Sequence, residues 1–236
     1  MGMIFLIRHG QASFGEENYD MLSETGILQS RMLGDYLADT GQEIDAVYSG
    51  KMERQKMTAH EAIESYRKHG KDISDPVIMD NLGEYDFRGV LLSQVPDMLE
   101  EDPSLQKDLD LIYTDLKAFQ RVFEGAMLRW VSGRYNKKGV ETWEDFARRS
   151  VGAILGIISK QGRGKNIFVF TSGGIIAATM QRALGLSNEA TMRINWQLIN
   201  SSITRFMYRY DTITLAGFNC IPHLELKKDK TLLTYR

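Results

Sequence analysis

Near the amino terminus, a short apolar run leads directly into residues suited to phosphate chemistry. Met3–Ile7 has the composition of a buried strand in a parallel sheet, and Arg8-His9-Gly10 follows it. Open α/β folds bind their ligands at the carboxyl ends of strands. There, arginine supplies a permanent cation, histidine a nucleophile that titrates near neutral pH, and glycine room for close backbone approach. The tripeptide alone is equally compatible with an ordinary polar turn.

Three later strand ends also carry reactive or anion-binding groups. Arg54 follows the second apolar run in the first turns of a helix, where arginine is usually a solvated surface residue. Glu84 and Asp86 follow the third run and can serve as general acids, although loop carboxylates usually only contact water. Thr171–Gly174 is a sharp turn into a helix, whose amide groups can bind an anion. A glycine pair after a strand is also typical of a simple tight turn.

The apolar runs that precede these motifs predict a sheet of mostly parallel strands. The expected strands are Met3–Ile7, Ala46–Tyr48, Val77–Met79, Ile167–Phe170, Ser202–Tyr208 and Thr212–Phe218. Ser23 is the predicted N-cap of the first helix, and the spacing of Ala59, Ala62 and Ile63 predicts the second. Strands that alternate with helices indicate an α/β protein, a three-layer sandwich with a mostly parallel central sheet flanked by helices.

The length and the apolar pattern predict one domain with a helical insertion. The chain has 236 residues, of which 43% are hydrophobic, enough for the core of one large domain. A helical apolar period runs from Pro103 to Arg134 for about eight turns. We therefore expect residues 1–236 to form a single domain that carries a helical cap at about residues 88–139.

Composition excludes several classes of partner and site. Lysine plus arginine (29) nearly balance aspartate plus glutamate (31), so the net charge is −2 and we expect neither a nucleic-acid partner nor a membrane surface. Cys220 is the single cysteine, which excludes an intramolecular disulfide and a cysteine metal cluster. The sequence has no leader-like start and no apolar run of membrane-spanning length. We expect a cytoplasmic protein and make no prediction of its oligomeric state.

Taken in order, these motifs resemble the histidine phosphatase superfamily, which has the phosphoglycerate mutase-like fold. Arg8-His9-Gly10 is similar to its R-H-G signature. The other matching segments are Tyr19–Gln29 (L-S/T-x-x-G-x-x-Q), Ser49–Ala59 (S-x-x-x-x-R-x-x-x-T-A), Leu82–Glu84, Val140–Arg148 and Asn219–Leu224 (N-x-x-x-H-L). The resemblance covers nearly the whole chain outside the helical insertion, and the ordered combination is far more specific than any one motif.

One position departs from the family pattern. The family has a second histidine before the glycine of the last strand-to-helix turn, as in S-H-G-G, and Ser172 stands there in this sequence. Loss of one donor to developing negative charge typically costs about 3 kcal/mol, or roughly a hundred- to thousandfold in rate. A serine hydroxyl can still donate one hydrogen bond, without the positive charge. The resemblance therefore implies a phosphatase with reduced or specialised activity.

The resemblance also implies a mechanism and a set of site residues. His9 attacks the phosphorus of a phosphomonoester, and water then hydrolyses the phosphohistidine. Glu84 is the general acid and base, with Asp86 as the alternative. The implied phosphate-binding residues are Arg8, Gly10, Arg54, Ser172 and Gly173. Arg8 and Arg54 count among the catalytic residues as well, and because they supply the positive charge, no metal and no cofactor is expected.

Several alternatives remain open at the level of sequence. The partner is a small phosphorylated substrate or, less favoured, a phosphoprotein. The basic residues of the insertion (Arg121, Arg129, Arg134, Lys137 and Lys138) either meet an anionic substrate or form a solvated helix face. A phosphoglycerate mutase-type phosphotransferase is less favoured than a hydrolase, because Gln11–Gly15 replaces the Glu-Ser/Thr and Trp-Asn pairs typical of the mutases.

Two readings involve no phosphatase activity. The first is a catalytically impaired phosphate-binding or interaction module that retains the pocket and has lost turnover with Ser172. The second makes Ser172 a hydrolase nucleophile, with Asp211 and His223 following in the order of an esterase triad. The G-x-S-x-G elbow of such enzymes requires glycine where Phe170 stands, so the sequence argues against this reading.

Overall fold

A single mixed sheet forms the centre of the molecule. The computed structural model describes residues 1–13, 20–112 and 114–235, and within them the strand order is β3-β2-β4-β1-β5-β6. The strands are β1 (Gly2–Arg8), β2 (Ala46–Gly50), β3 (Val77–Met79), β4 (Asn166–Thr171), β5 (Ile203–Arg209) and β6 (Thr212–Cys220). The pairs β1–β4, β2–β4 and β2–β3 are parallel, while β1–β5 and β5–β6 are antiparallel. The mostly parallel sheet that the sequence predicts is confirmed.

Helices account for most of the remaining described residues. They are α1 (Glu24–Asp39), α2 (Glu53–Lys68), α3 (Phe87–Glu101), α4 (Gln106–Asp110), α5 (Leu116–Ser132), α6 (Trp143–Gln161), α7 (Gly173–Leu184), α8 (Asn188–Asn195) and α9 (Pro222–Glu225). Short 3₁₀ helices lie at Asp80–Leu82, Pro103–Leu105 and Lys230–Leu232. No helix in the described parts of the chain has both the length and the sustained apolar character of a bilayer-spanning segment.

The two faces of the sheet bury two separate apolar clusters. Because successive side chains of a strand point to opposite faces, Ile4 and Leu6 of β1 join one cluster, while Phe5 and Ile7 join the other. Leu33 of α1 and Ala59 and Ala62 of α2 pack on the second cluster, whereas Phe146 of α6 and Ile175 and Ile176 of α7 pack on the first. Helices therefore cover both faces, and the predicted three-layer sandwich is confirmed.

Local capping signals set the start of the helices that flank the site. The Ser23 hydroxyl accepts a hydrogen bond from the Gly26 amide at 3.1 Å, as the sequence predicts for the N-cap of α1. Helix α2 begins three residues after β2 ends, and Arg54 is its second residue. This short connection keeps Arg54 near the carboxyl end of the parallel strands.

The apolar period between Pro103 and Arg134 does not form one continuous helix. The chain leaves α4 after Asp110 and begins α5 at Leu116, where the Asp115 carboxylate accepts from the Lys117 amide at 2.7 Å. An aspartate that bonds the backbone in this way favours a new helix start over helix continuation. The apolar period is therefore divided between two helices of the predicted helical region. The cap boundaries at about 88–139 and the single-domain organisation stay predictions.

Candidate active site

The carboxyl ends of three parallel strands bring the sequence-predicted residues to one edge of the sheet. Arg8 at the end of β1 pairs in register with Thr171 of β4, and Ser49 of β2 pairs with Phe170 of β4. A small cavity of about 120 Å³ opens at this edge. Its lining includes Arg8, His9, Arg54, Glu84 and Gly173, five of the seven site residues that the sequence predicts.

The His9 imidazole has a defined tautomer and a defined direction. Its Nδ1 lies 2.7 Å from the Gly10 carbonyl oxygen, which only accepts, so Nδ1 carries the ring proton. The ring therefore presents the unprotonated Nε2, to which Arg54 Nε donates at 3.2 Å. Because the ring lines the cavity, this arrangement presents the nucleophilic nitrogen beside a guanidinium.

Burial and positive charge keep His9 in its neutral form. Desolvation lowers the pKa of the imidazole well below its ordinary value, and the charges of Arg54 and Arg8 lower it further. The hydrogen bond to the Gly10 carbonyl opposes this shift only in part. An uncharged imidazole at neutral pH has the lone pair that a nucleophile requires.

Arg54 is held from two sides. Besides its bond to His9, Arg54 Nη1 donates to Asp20 Oδ1 at 2.7 Å, while Asp20 Oδ2 accepts from the Glu53 amide at 2.8 Å. Arg8 Nη1 donates to the Leu198 carbonyl. The predictions did not include Asp20, although its carboxylate comes three residues before the Ser23 cap of α1. The sequence signal that could have identified Asp20 is an acidic residue close to the start of α1.

Glu84 lines the cavity in an environment that favours its protonated form. Burial raises the pKa of its carboxyl, while the Gly174 amide, which donates to Oε2 at 2.9 Å, lowers it in part. Arg149 of α6 fixes the preceding loop, since its Nη1 donates to the Gly83 carbonyl at 2.9 Å. By contrast, Asp86 accepts from the Gly89 amide as the N-cap of α3 and does not line the cavity.

At the turn into α7, a side chain on either glycine would displace a neighbouring polar side chain. A Cβ added at Gly174 would lie 2.1 Å from Glu84 Oε1, and one added at Gly173 would lie 2.4 Å from Asn195 Oδ1. Gly173 is the first residue of α7, so its amide has no acceptor within the helix and is oriented as in other helix amino ends that bind anions. This geometry fits the role that the sequence predicts for Gly173.

Gly10 contacts the protein through both its amide and its carbonyl. Its amide donates to Thr58 Oγ1 at 3.0 Å, and its carbonyl accepts from His9 Nδ1. The carbonyl of Gly10 thereby orients the imidazole. The role of Gly10 as a phosphate ligand stays a prediction.

The Ser172 side chain is fully buried and is bonded to a residue that the sequence analysis did not single out. Gln55 of α2 donates from Nε2 to Ser172 Oγ at 2.7 Å and to the Leu82 carbonyl at 3.1 Å. Neither side chain reaches the cavity surface. Only the folded structure, in which Gln55 is fully buried, identifies this residue. The role of Ser172 as a phosphate donor stays a prediction.

The esterase reading of Ser172, Asp211 and His223 is wrong. His223 Nε2 lies 2.8 Å from Ser201 Oγ, whereas the partner of Ser172 is Gln55. Asp211 is exposed in the turn between β5 and β6. Tyr208 pairs with Gly2, at the amino end of β1, so this turn lies at the edge of the sheet opposite His9. The three side chains do not form a triad.

Comparison with known proteins agrees with this architecture. The family model described as "Histidine phosphatase superfamily (branch 1)" matches residues 4–109 and 113–221. The chain belongs to the histidine phosphatase superfamily. Among functionally curated proteins, none matches the sequence.

Several solved structures share this fold at low sequence identity. A phosphoserine phosphatase variant from Entamoeba histolytica in complex with phosphoserine has a TM-score of 0.63 and 19% identity, covering 95% of this chain and 100% of that one. Phosphoglycerate mutase from Bacillus anthracis has a TM-score of 0.62 and 16% identity, covering 97% of each chain. Mycobacterial glucosyl-3-phosphoglycerate phosphatase has a TM-score of 0.63 and 17% identity, covering 93% of this chain and 99% of that one.

Proposed function

We propose that this superfamily member is a phosphomonoester hydrolase that acts through a phosphohistidine on His9. The observation that carries the proposal is the state of the imidazole, which lines the cavity. Its pKa is lowered, its Nδ1–H is bonded to the Gly10 carbonyl, and its Nε2 lies 3.2 Å from Arg54 Nε. Covalent catalysis by a neutral nucleophile between two guanidiniums is suited to a dianionic ester.

In the first step, the hydrogen bond from Arg54 Nε to Nε2 breaks as Arg54 turns to the phosphoryl oxygens. The Nε2 lone pair then attacks phosphorus, and the bond between phosphorus and the ester oxygen breaks. The leaving oxygen takes the proton of the Glu84 carboxyl, whose raised pKa keeps that proton available. Arg8 and Arg54 hold the nonbridging oxygens, with the Gly173 amide as a further donor. The Gly10 carbonyl stabilises the positive charge that develops on the ring.

In the second step, a water molecule attacks the phosphohistidine. The Glu84 carboxylate takes the proton of that water, the bond between phosphorus and Nε2 breaks, and inorganic phosphate leaves. Both His9 and Glu84 then return to their starting protonation states. The two arginines supply the positive charge throughout, so we propose a reaction that uses neither a metal nor a cofactor. Among the described residues, no group of three or more His, Cys, Asp or Glu side chains is placed to hold a metal ion.

The proposal includes reduced or specialised activity. Ser172 occupies the sequence position of the second histidine of the family, and its hydroxyl oxygen accepts from Gln55. A buried serine brings no positive charge to the transition state, so the step that forms or breaks the phosphohistidine is slower by roughly a hundred- to thousandfold than with a cationic donor. The proposal also assigns helices α3–α5 as a cap in a single-domain enzyme.

We favour hydrolysis over phosphoryl transfer between two hydroxyls of a phosphoglycerate. Such a mutase must hold a substrate carboxylate in addition to the phosphoryl group. Among the described residues that line the cavity, Arg8 and Arg54 are the only lysine or arginine side chains, and both are assigned to the phosphoryl oxygens. A phosphoglycerate carboxylate would therefore lack a cationic partner there.

Trapping of the phosphoenzyme by an alkaline quench tests the proposal directly. The purified chain is mixed with ³²P-labelled p-nitrophenyl phosphate, quenched in alkali, and analysed for an acid-labile, alkali-stable label on protein. We expect label and turnover in the unmodified protein and neither in His9→Ala. His60→Ala is the matched control, because His60 is exposed on α2 and remote from the cavity.

Two results would contradict the proposal. Turnover that survives His9→Ala would exclude His9 as the nucleophile. Binding of phosphate without turnover of any phosphomonoester would favour the impaired phosphate-binding module instead.

A further inference from the structure

Aromatic side chains form much of the cavity wall beyond the phosphate-binding end. They come from the loop after β3, from α3 and α5, from the segment after α8 and from the carboxyl-terminal segment, and they are Tyr85, Phe87, Phe119, Phe123, Trp196 and Tyr235. The proposed chemistry needs none of these rings, because phosphoryl oxygens bind to charged and amide donors. This part of the wall therefore contacts the organic part of a substrate.

The charge around the cavity argues against a second anionic group. Sequence analysis left open whether the basic residues of the helical region meet an anionic substrate. None of those five residues lines the cavity. Three pair with acidic side chains of the same region: Arg121 with Asp108, Arg129 with Glu101 and Lys137 with Asp97. These charges therefore face acidic partners of the helical region and not the cavity.

Several of the rings are already held by their neighbours. The Phe119 and Phe123 rings stack with centroids 5.6 Å apart and an interplanar angle of 14°. Tyr85 packs against Trp130 at 4.6 Å and edge-on against Phe146 at 5.3 Å. Rings that are fixed before binding lose little conformational entropy when they contact a ligand. The aromatic wall is thus ready to receive another flat apolar group.

The size of the cavity limits the substrate further. Pockets for drug-sized ligands typically measure roughly 300–1,000 Å³. This cavity encloses about 120 Å³, which suits a phosphoryl group and a small substituent that extends toward the mouth. The side chain of Tyr235, which is 51% exposed, lies at that wall. A nucleotide or a large sugar phosphate would extend beyond this space, past the mouth of the cavity.

From these observations we infer that the substrate is a small phosphomonoester whose alcohol carries one aromatic ring and no second anionic group. This inference rests on the proposed phosphatase function and deepens it. It predicts a preference for phosphomonoesters that carry an aromatic ring, which the phosphate-binding residues alone would not produce. Phosphoglycerates are poor substrates on this account, because they bring a carboxylate and no ring.

A comparison of three alkyl phosphates tests the preference. Benzyl phosphate, glycerol 3-phosphate and 3-phosphoglycerate all release a primary alcohol, so their intrinsic reactivities are similar and differences report on recognition. We expect kcat/KM for benzyl phosphate to exceed that for 3-phosphoglycerate by at least about tenfold. Equal or higher kcat/KM for 3-phosphoglycerate would overturn the inference and leave the phosphatase function standing.

A pair of matched variants shows whether the aromatic wall causes the preference. Phe119→Leu keeps an apolar side chain and removes the ring from the cavity wall. We expect the ratio of kcat/KM for benzyl phosphate to that for glycerol 3-phosphate to fall about tenfold. Phe218→Leu makes the same change on β6, outside the cavity lining, and leaves the ratio unchanged. Equal ratios in the two variants would contradict the inference.

Ligand binding extends the test to a protein without turnover. Calorimetry compares benzylphosphonate with methylphosphonate, neither of which can be hydrolysed at the bond between phosphorus and carbon. If the unmodified protein hydrolyses no phosphomonoester, that lack of turnover rejects the phosphatase proposal. Tighter binding of benzylphosphonate than of methylphosphonate would still support the aromatic subsite. Equal affinities would overturn the inference, whatever the activity.

Discussion

Two buried histidines of this protein have opposite surroundings, although burial lowers the pKa of both. His9 lies at the end of β1, and Arg54 and Arg8 add to the effect of burial on its pKa. His223 lies in α9, where burial alone lowers its pKa to about 3. His9 lines a cavity, whereas the Nδ1 of His223 is buried and has no hydrogen-bond partner among the described residues. Desolvation alone thus makes a neutral imidazole but not a candidate nucleophile.

The two histidines are also connected. The Ser201 amide donates to the His9 carbonyl at 3.1 Å, while the Ser201 hydroxyl pairs with His223 Nε2 at 2.8 Å. The Asn200 side chain donates to the same His9 carbonyl at 3.2 Å. Ser201 adopts a left-handed backbone conformation, with φ of 59°, which is uncommon for serine. His223 therefore supports the loop that holds the main chain of His9 in place.

Exchanging each histidine for glutamine gives the sharpest separation of the two regions. We expect His9→Gln to lower kcat by at least about a thousandfold, because the nucleophile is lost. We expect His223→Gln to lower the free energy of unfolding by about 1–3 kcal/mol, because a buried hydrogen-bonded side chain is disturbed. Turnover per folded molecule should stay within a few-fold. Steady-state kinetics and urea denaturation of both variants measure these effects. A large loss of kcat in His223→Gln would contradict the assignment of His9 to catalysis and of His223 to stability.

Removing the guanidinium beside His9 should make the surroundings of His9 more similar to those of His223. In Arg54→Gln, we expect kcat/KM to fall by about a hundredfold, because the variant loses a guanidinium that we propose binds the phosphoryl group. Arg54 lowers the pKa of His9, so its removal raises that pKa and shifts the acid limb of the pH profile of kcat/KM to higher pH. Arg31→Gln, an exposed change on α1, is the control. An acid limb at unchanged pH would show that Arg54 does not tune the imidazole.

Acid should destabilise the protein through His223. In the unfolded chain this histidine titrates near its ordinary pKa of 6.5, while in the folded protein its pKa is about 3. Below pH 6.5 the unfolded state therefore binds the extra proton, and stability falls as the pH falls. Between pH 7 and about pH 4.5, we expect His223 to account for roughly 3 kcal/mol of lost stability.

Urea denaturation of the unmodified protein and of His223→Gln at both pH values measures this contribution. For each protein it gives the slope of the free energy of unfolding against pH, and the difference between the two slopes is the contribution of His223. His9, whose pKa is also lowered, contributes to both slopes in the same direction and cancels. Equal slopes of the free energy of unfolding against pH in the two proteins would mean that His223 takes up no proton when the chain unfolds.

The smallest expected effect concerns Ser172 and Gln55. From sequence alone, Ser172→His should raise turnover if the serine is a simple loss of the second histidine. In the structure, Gln55 Nε2 lies 2.7 Å from Ser172 Oγ, in the space that an imidazole would need. We therefore expect no gain from Ser172→His and about a tenfold gain in kcat when Gln55→Ala is added to it.

Gln55→Ala alone serves as the control for this pair. It leaves Ser172 without its donor and adds no cation, so kcat should not rise. A gain from Ser172→His by itself would show that Gln55 moves aside without cost. No gain in the double variant would show that the pocket is built around serine.

Much of the framework was predictable from local pattern. The apolar run Met3–Ile7 lies within β1, Ser23 caps α1, and Arg54 falls in the first turn of α2. Each depends on neighbours within one turn or one strand, where periodicity and capping act. The apolar period by itself does not indicate where α4 ends and α5 begins, because the period continues across the turn before the Asp115 cap.

Sequence alone determined the order of the chemical groups along the chain: a strand end with arginine and histidine, a later arginine, a carboxylate and a glycine turn. Only the tertiary structure decided which of their atoms are available. Thr58 takes the Gly10 amide, and Gln55 takes the Ser172 hydroxyl across 117 positions of sequence. The aromatic wall likewise assembles from distant segments. Short-range periodicity sets where a side chain starts, but hydrogen-bond competition and packing between distant segments decide what it contacts.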